Sequence, residues 1–520
     1  MSQSGRARIT RRQFLSLAAG AAALPAVPRV AAAQQPRRSG GTFISAKTTE
    51  VPGLDTTLEQ AASLKRIGVL FYNCLVEWGY DGKIGPALAE SWTTSQDGKT
   101  WTFKLRRGVK FHNGRELTSD DVKFTLDRVL DPKVGSGGRG YLLAIDGIEA
   151  PDKHTVRIHT KERSASLLAG LAGSWQSIVP RDEVEKRGDL RRTAIGTGPF
   201  ILQEWMAQSH LKARRNPDYW DKGKPVVDAV ELKVIPDEAS IVAQLRTGNI
   251  HHALLEDNKN YLLVKDDKRL KALRSSRLGF DVLVMNHGRK PFDDVRVRQA
   301  VSLAIDRNEI LQVAASGLGQ VTGPATPAMK QWALPIETFK EWYTPNLDRA
   351  KKLLAEAGVP NGFKTTLRAI PTFPTMVAGA QVIAAQLKRI GIDVQIIQEE
   401  YGVWSKNIIK PNFNFDMTMN LTNGEPDPDS LFYRRLHSTE KQWPNGGDPT
   451  VDALLDEGRA TLDQAKRREI YEKAQILMVE KALVIWTFSA DLIDIVQNYV
   501  NYEQHFTSLY YGFRSVSLER

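Results

Sequence analysis

Residues 88–130, LAESWTTSQDGKTWTFKLRRGVKFHNGRELTSDDVKFTLDRVL, leave the chain less freedom than any other stretch, because three local structures follow one another there with almost no slack. Asp97-Gly98 is a two-residue turn signal, after which Trp101, Phe103 and Leu105 alternate with Thr102, Lys104 and Arg106 at the period of a half-buried strand. Asn113-Gly114 marks a second turn. Thr118 or Ser119 then stands as N-cap ahead of Asp120 and Asp121, where the positive end of a helix dipole favours negative charge. The helix buries a stripe of Val122, Leu126, Val129 and Leu130 and leaves Lys123, Asp127 and Arg128 toward water. Periodicity establishes a hairpin running into a capped amphipathic helix, and no activity follows from it.

The chain opens with an address. Arg6, Arg8, Arg11 and Arg12 precede an apolar, Ala-rich run over residues 14–27, and Ala31-Ala32-Ala33 offers a small-residue cleavage site. Thr10-Arg11-Arg12-Gln13-Phe14-Leu15 fits the twin-arginine pattern of an export route for folded cargo, so residues 1–33 are expected to be a signal peptide cleaved near Ala33. The run is too short to span a bilayer and is broken by Pro25 and Pro28. Without Arg6, Arg8, Arg11, Arg12 and Arg29 the formal charge falls from +11 to +6. Lys and Arg are mixed with Asp and Glu throughout, without the basic stripe of a nucleic-acid groove, and no nucleic-acid partner is expected. Cys74, the only cysteine, excludes an intramolecular disulfide and is expected to pack as a small apolar residue; no other cysteine offers a lipid anchor near the cleavage site. The mature length exceeds what one core supports, so at least two domains are expected.

Residues 42–46 have the pattern of a strand that stops in a polar loop, and residues 64–78 that of a helix. After a turn at Pro151-Asp152, Val156 and Ile158 alternate within 148–160 as another strand of the first small sheet, and Gly196 to Phe200 marks a crossover. Strand-like runs at 230–235 and 280–284 flank a helix at 238–246, which is βαβ logic. A helix capped by Asp293-Asp294 carries the stripe Val297, Ala300, Val301, Ala304 and Ile305. Helices are also expected at 348–357, closed by Gly358, at 376–390, ended by Gly391, and as a pair over 450–481 that parts near Asp463. Ile392, Val394 and Ile396 alternate as a strand, 413–421 is strand-like, and 484–500 returns in apolar runs toward the first half.

No catalytic constellation emerges. The glycines of GSGGRG, Gly135, Gly137 and Gly140, follow a helix rather than a strand, against the dinucleotide fingerprint. DGKT at 97–100 lacks the first glycine of a phosphate loop, since Thr93 stands there. His251-His252 is the only close His pair, and adjacent side chains diverge on helix or strand alike. GxSxG, HExxH and Cys clusters do not occur. Neither a metal nor a cofactor is expected.

The 88–130 run resembles the signature region of the family 5 extracellular solute-binding proteins, the peptide, nickel and opine receptors of bacterial ABC importers. GTGPF with RRNPDYWDKGKP (196–225), NHGRKPFDDVRVRQAVSLAIDRNEI (286–310), YTPNLDRAKKLLAEAG (343–358) and EPDPDSLFYRRLHS (425–438) are similar to that family's other landmarks in the same order. The resemblance implies an α/β, two-lobed periplasmic binding protein fold of the large, three-domain class with a hinged ligand cleft. Lobe I is expected over 41–86, 196–279 and 488–520, an inserted α+β domain over 87–195, and lobe II over 280–487. It further implies a periplasmic monomer that captures a small-molecule or peptide ligand and hands it to ABC permease subunits in the inner membrane, closure over the solute being the signal.

Site residues are then sought at strand ends. By the same resemblance, peptide receptors carry an Asp a few residues before the PDPD turn that holds the ligand's amino group; here Gly424 takes that position, with Asn423 and Glu425 beside it. Asp427 is either a charged contact or a turn-closing side chain. Tyr401 and Trp404 form either an aromatic cleft wall or core. Thr48, Thr49 and Glu50 occupy the first cleft-facing loop by analogy, and Arg368 is placed either to take a ligand carboxylate bidentately or as a surface arginine. Besides a peptide or related polar solute, an opine, a sugar or a metal chelate fits the same scaffold. An exported hydrolase and a chaperone-like or haem-carrying role are the competing hypotheses.

Overall fold

The apolar run at 484–500 forms one thirteen-residue strand, Ile485–Gln497, and the largest sheet is assembled on it. The computed structural model describes residues 40–519 apart from 60, 409–411, 423, 425, 441–443 and 445–446; the expected signal peptide, residues 1–33, lies outside them. The first half of Ile485–Gln497 pairs antiparallel with Phe280–Met285 and Gly319–Val321, and its second half with His252–Leu255 and Leu270–Ser276. Beyond Phe280–Met285 the sheet continues through Met417–Thr422, Lys364–Ala369 and Asp393–Gln398. Beyond His252–Leu255 it continues through Thr42–Lys47, Ala229–Val234, His210–Arg215 and Phe200–Met206. Lys364–Ala369 runs parallel to Asp393–Gln398 with helix Pro374–Lys388 as the connection, the βαβ arrangement of an α/β fold. The long strand is buried on both faces along most of its length, which is why it reads as a nearly continuous apolar run instead of alternating.

Four apolar clusters surround this framework. One gathers side chains from Leu278 to Ala490. A second joins Phe43, Phe71, Tyr72, Phe200 and Val230 to Tyr510, Tyr511 and Phe513. A third lies between Leu75 and Ile178, and a smaller one packs helix Glu238–Thr247 on Ala46, Ile493 and Ile495.

The 88–130 stretch folds as its pattern dictates. Strand Thr100–Leu105 buries Trp101, Phe103 and Leu105, and helix Ser119–Leu130 starts from Thr118. The Asp121 carboxylate accepts the Thr118 backbone N–H at 3.0 Å, closing a capping box. Carboxylate caps also start Val295–Ala304 (Asp294), Arg307–Ala315 (Asp306), Pro449–Ala460 (Asp448) and Gln464–Glu480 (Asp463), each accepting a first-turn N–H.

Three sequence expectations are corrected. Arg128 is not on the wet side: its guanidinium makes a bidentate pair with buried Asp55 at 3.0 and 2.8 Å, a partner 73 residues away that no helical periodicity reveals. Residues 64–78 are not one helix. Helix Ala62–Gly68 stops because the carbonyls of Leu70 and Phe71 accept N–H groups of Phe200 and Gly198, both at 2.9 Å, and the chain resumes as strand Val76–Trp78. A Cβ on Gly196 or Gly198 would lie 2.2 or 2.3 Å from the Phe71 backbone, so the glycines of GTGPF serve this close approach. Finally, the strand expected at 413–421 begins only at Met417, because the Asn286 amide takes the carbonyls of Phe413 and Phe415 at 2.9 and 3.0 Å.

Candidate functional site

A cavity of about 300 Å³ opens where Ile485–Gln497 passes from its first set of partners to its second. Arg277, Leu278 and Gly279, leading into strand Phe280–Met285, form one wall together with Gly424, Pro426, Asp427 and Ser430. The lining also includes residues of helix Ala62–Gly68 (Lys65, Arg66), the segment around Ser174 and Trp175, Leu254 to Glu256 at the end of a strand, and Asp491 and Leu492 of the long strand. The rings of Trp175 and Tyr141 stack with centroids 5.4 Å apart, and the Lys65 ammonium sits 3.3 Å from the Trp175 centroid. Such a lining, broad aromatic faces with a few converging charges, suits a small polar solute.

The cavity's charges are unevenly used. Glu256 is held by Arg66 at 2.7 Å; burial works to raise its carboxyl, but the guanidinium holds it below the usual range. Asp491 accepts from Arg274 at 2.5 and 3.0 Å. Asp427 accepts two bonds from buried Arg467, at 2.7 and 2.9 Å, and also caps helix Pro428–Leu436 through the Asp429 N–H. The Arg277 backbone carbonyl accepts from Ser489 Oγ at 3.1 Å, but its guanidinium makes no hydrogen bond or ion pair with any described residue; its charge acts through space, pulling down the carboxyl of Glu256 and opposing the rise of Asp281.

Of the residues expected at the site, Gly424 and Asp427 line this cavity. Asn423 and Glu425 lie outside the described residues. A Cβ at Gly424 would lie 2.0 Å from the Leu278 carbonyl oxygen, so this backbone admits no side chain, and hence no carboxylate, there. The remaining five side chains and Glu50 stand elsewhere. The Glu50 carboxylate accepts the N–H groups of Val51 and Gln208, which pins its own loop, and Thr48 and Thr49 belong to that loop without reaching the cavity. Arg368, on strand Lys364–Ala369, is paired with Glu399 and so is neither a free ligand donor nor an ordinary surface arginine. Tyr401 is exposed at the start of helix Tyr401–Ile408, while Trp404 is buried with its Nε1 donating to Thr418 Oγ1 at 2.8 Å.

Sequence reasoning missed Arg277, Lys65, Arg66, Trp175, Glu256 and Asp491. The one usable signal was at Arg277, just ahead of strand Phe280–Met285, whose pattern the sequence shows. It missed a buried constellation as well. Ser45 Oγ lies 2.8 Å from His252 Nδ1, and His252 Nε2 lies 3.1 Å from Asp494 Oδ1. Three adjacent strands bring these side chains together, and none lines the cavity. With His252 wholly enclosed by Phe43, Tyr502, Tyr510 and Phe513, the trio has the elements of a nucleophilic triad but no approach for a reacting group; it ties strands together. His251 diverges from it, as adjacent side chains must, and accepts the Ile44 N–H at 2.9 Å. Cys74 packs in the interior, where burial pushes its thiol up to about 12. Among the described residues, no three His, Cys, Asp or Glu side chains cluster as a metal site, and no helix is long and apolar enough to cross a membrane.

Residues 83–443 match the model of the bacterial extracellular solute-binding proteins, family 5 Middle. The dipeptide-binding protein of Escherichia coli (strain K12) is 32% identical over 450 residues, covering 80% of this chain and 82% of its own. Heme-binding protein A of Haemophilus influenzae is 30% identical, covering 79% and 80%. Among solved structures, that of the PBP AgaA in complex with agropinic acid from A. tumefaciens R10 superimposes with a TM-score of 0.79 at 29% identity, covering 92% of this chain and 99% of that one.

Proposed function

The chain belongs to the bacterial extracellular solute-binding proteins of family 5, and from that premise we propose that it is a periplasmic receptor that captures a small polar solute in the cavity beside Ile485–Gln497 and delivers it to an ABC permease. The single observation that carries this is the position of the cavity. Its walls come from the partners of both halves of one strand, so a bound solute touches both, and bending of that strand couples occupancy to closure. We assign lobe I to 41–86, 196–279 and 488–520, the inserted domain to 87–195 and lobe II to 280–487; the cluster from Leu278 to Ala490 follows lobe II closely, whereas Leu75, Val76 and Trp78 pack with the inserted domain and Val179 to Ala194 with lobe I. Residues 1–33 act as a twin-arginine export signal, and the mature protein works as a monomer without chemistry of its own.

The relatives' names span a dipeptide, haem and agropinic acid. The closed-off position at Gly424 favours a solute that does not depend on a carboxylate there to hold an amino group, such as an opine, over a peptide gripped by its amino terminus. A thermal-shift panel of peptides, opines, sugars and metal chelates tests the receptor function, since a solute bound only by the native state raises Tm by mass action. A concentration-dependent rise with one class, and intact solute recovered afterwards, is expected. Catalytic conversion of the solute would refute it.

A further inference from the structure

We propose that Arg277 is the specificity-determining residue of the cavity and selects a solute carrying a carboxylate; this rests on the receptor function above and names its substrate class. Among the described residues three carboxylates line the cavity, and each has an arginine of its own: Glu256 has Arg66, Asp491 has Arg274 and Asp427 has Arg467. Arg66 is in turn taken up by Glu256, and the Lys65 ammonium faces the Trp175 ring. Arg277 alone among the cavity's guanidinium groups has neither a hydrogen bond nor an ion pair with a described residue.

The other acid near it, Asp281, does not fill that role. It is wholly buried, accepts from Thr375 Oγ1 at 3.1 Å, and does not line the cavity. A guanidinium with five N–H donors in a fixed fork, partly withdrawn from water and left without an anion, is costly unless a ligand supplies the missing oxygens, and a carboxylate matches the fork geometry. The same cavity is lined by the stacked pair Tyr141 and Trp175, which offers aromatic surface for the solute's body. On Arg277's own wall, Gly424 contributes no acid that would compete for the arginine.

The test uses matched probes, each a carboxylate and its primary amide: alanyl-alanine and alanyl-alanine amide, N-acetylalanine and its amide, and succinate and succinamide. Calorimetric titration compares the wild-type protein with Arg277→Gln and Arg277→Lys, and circular dichroism confirms that both variants fold. A carboxylate is expected to bind the wild type on the order of 10- to 100-fold more tightly than its amide, the range of charge-assisted hydrogen bonds. R277Q should abolish that preference, and R277K should restore only part of it, because an ammonium keeps the charge but not the fork. An acid and amide that bind the wild type equally, or an acid that binds R277Q as tightly as the wild type, overturns the proposal while leaving the receptor function standing. If no probe binds, the solute released on denaturing the natively purified protein decides. A carboxylate present in wild-type preparations and depleted from R277Q supports the proposal, a neutral or cationic solute overturns it, and the absence of any solute overturns the receptor function and this proposal with it.

Discussion

Asp427→Asn separates two roles that one side chain holds at once. Asp427 lines the cavity, yet its carboxylate caps helix Pro428–Leu436 and pairs bidentately with Arg467, which is 1% exposed, donates to the Gly458 carbonyl at 2.9 Å and lies 5.2 Å from the Trp332 and Tyr471 ring centroids. Asparagine keeps the cap, because its side-chain oxygen still accepts the Asp429 N–H, so the cap contribution of about 1 kcal/mol is retained. What the substitution removes is the charge opposite a buried guanidinium. Leaving one member of a buried pair uncompensated costs about 3–5 kcal/mol, and that is the loss expected here. Replacing the whole pair by uncharged groups of similar volume is close to neutral, so Asp427→Asn with Arg467→Met should recover all but about 1–2 kcal/mol. Urea denaturation followed by tryptophan fluorescence measures both, and titration of the bound solute should give an affinity within about threefold of wild type. A D427N protein as stable as wild type but unable to bind solute would refute the reasoning and return Asp427 to the ligand.

Asp281 gives a pH prediction. Burial raises its carboxyl to about 6, against the lowering pull of Arg277 and the Thr375 hydroxyl. The folded state therefore keeps a proton that the unfolded chain gives up near pH 4, so stability falls as pH rises from about 4 to about 6 and the penalty is complete above that. Asp281→Asn should stabilise by up to about 3 kcal/mol at pH 7 and by little at pH 3, in denaturation curves recorded across that range; equal stabilities at pH 7 would count against it. Gly424→Ala drives a methyl into the Leu278 carbonyl and is expected to cost about 1–3 kcal/mol and weaken solute binding; a neutral outcome in both assays would show that the wall yields freely. Ser45→Ala removes a buried partner of His252 and should lower stability by about 1–2 kcal/mol without changing solute affinity; a hydrolytic turnover abolished by S45A would establish the enzyme that the enclosed geometry argues against.

The elements of this fold were legible wherever one buried face repeats at a fixed period. Val297, Ala300, Val301, Ala304 and Ile305 are all buried, and strand Thr100–Leu105 points its aromatic residues inward. Caps were legible for the same local reason, as at Asp294 and Asp463. What escaped depends on partners distant in sequence. Nothing near Arg128 announces Asp55, and the helical pattern over 64–78 is overridden by backbone pairing with Gly198 and Phe200. The cavity is the extreme case, because residues around 65, 175, 256, 277, 424 and 491 converge on it. Motif resemblance led to the loop around Gly424 because it is contiguous. It could not lead to Arg277, whose significance lies in what fails to pair with it.

Native mass spectrometry of the purified full chain tests the central claim most directly. The account predicts one solute held non-covalently per protein molecule, released on denaturation with the same mass as the free compound and rebound on its return to the refolded protein. A released molecule that is a cleaved or otherwise altered form of the compound supplied, or a protein that retains and rebinds nothing, would contradict it.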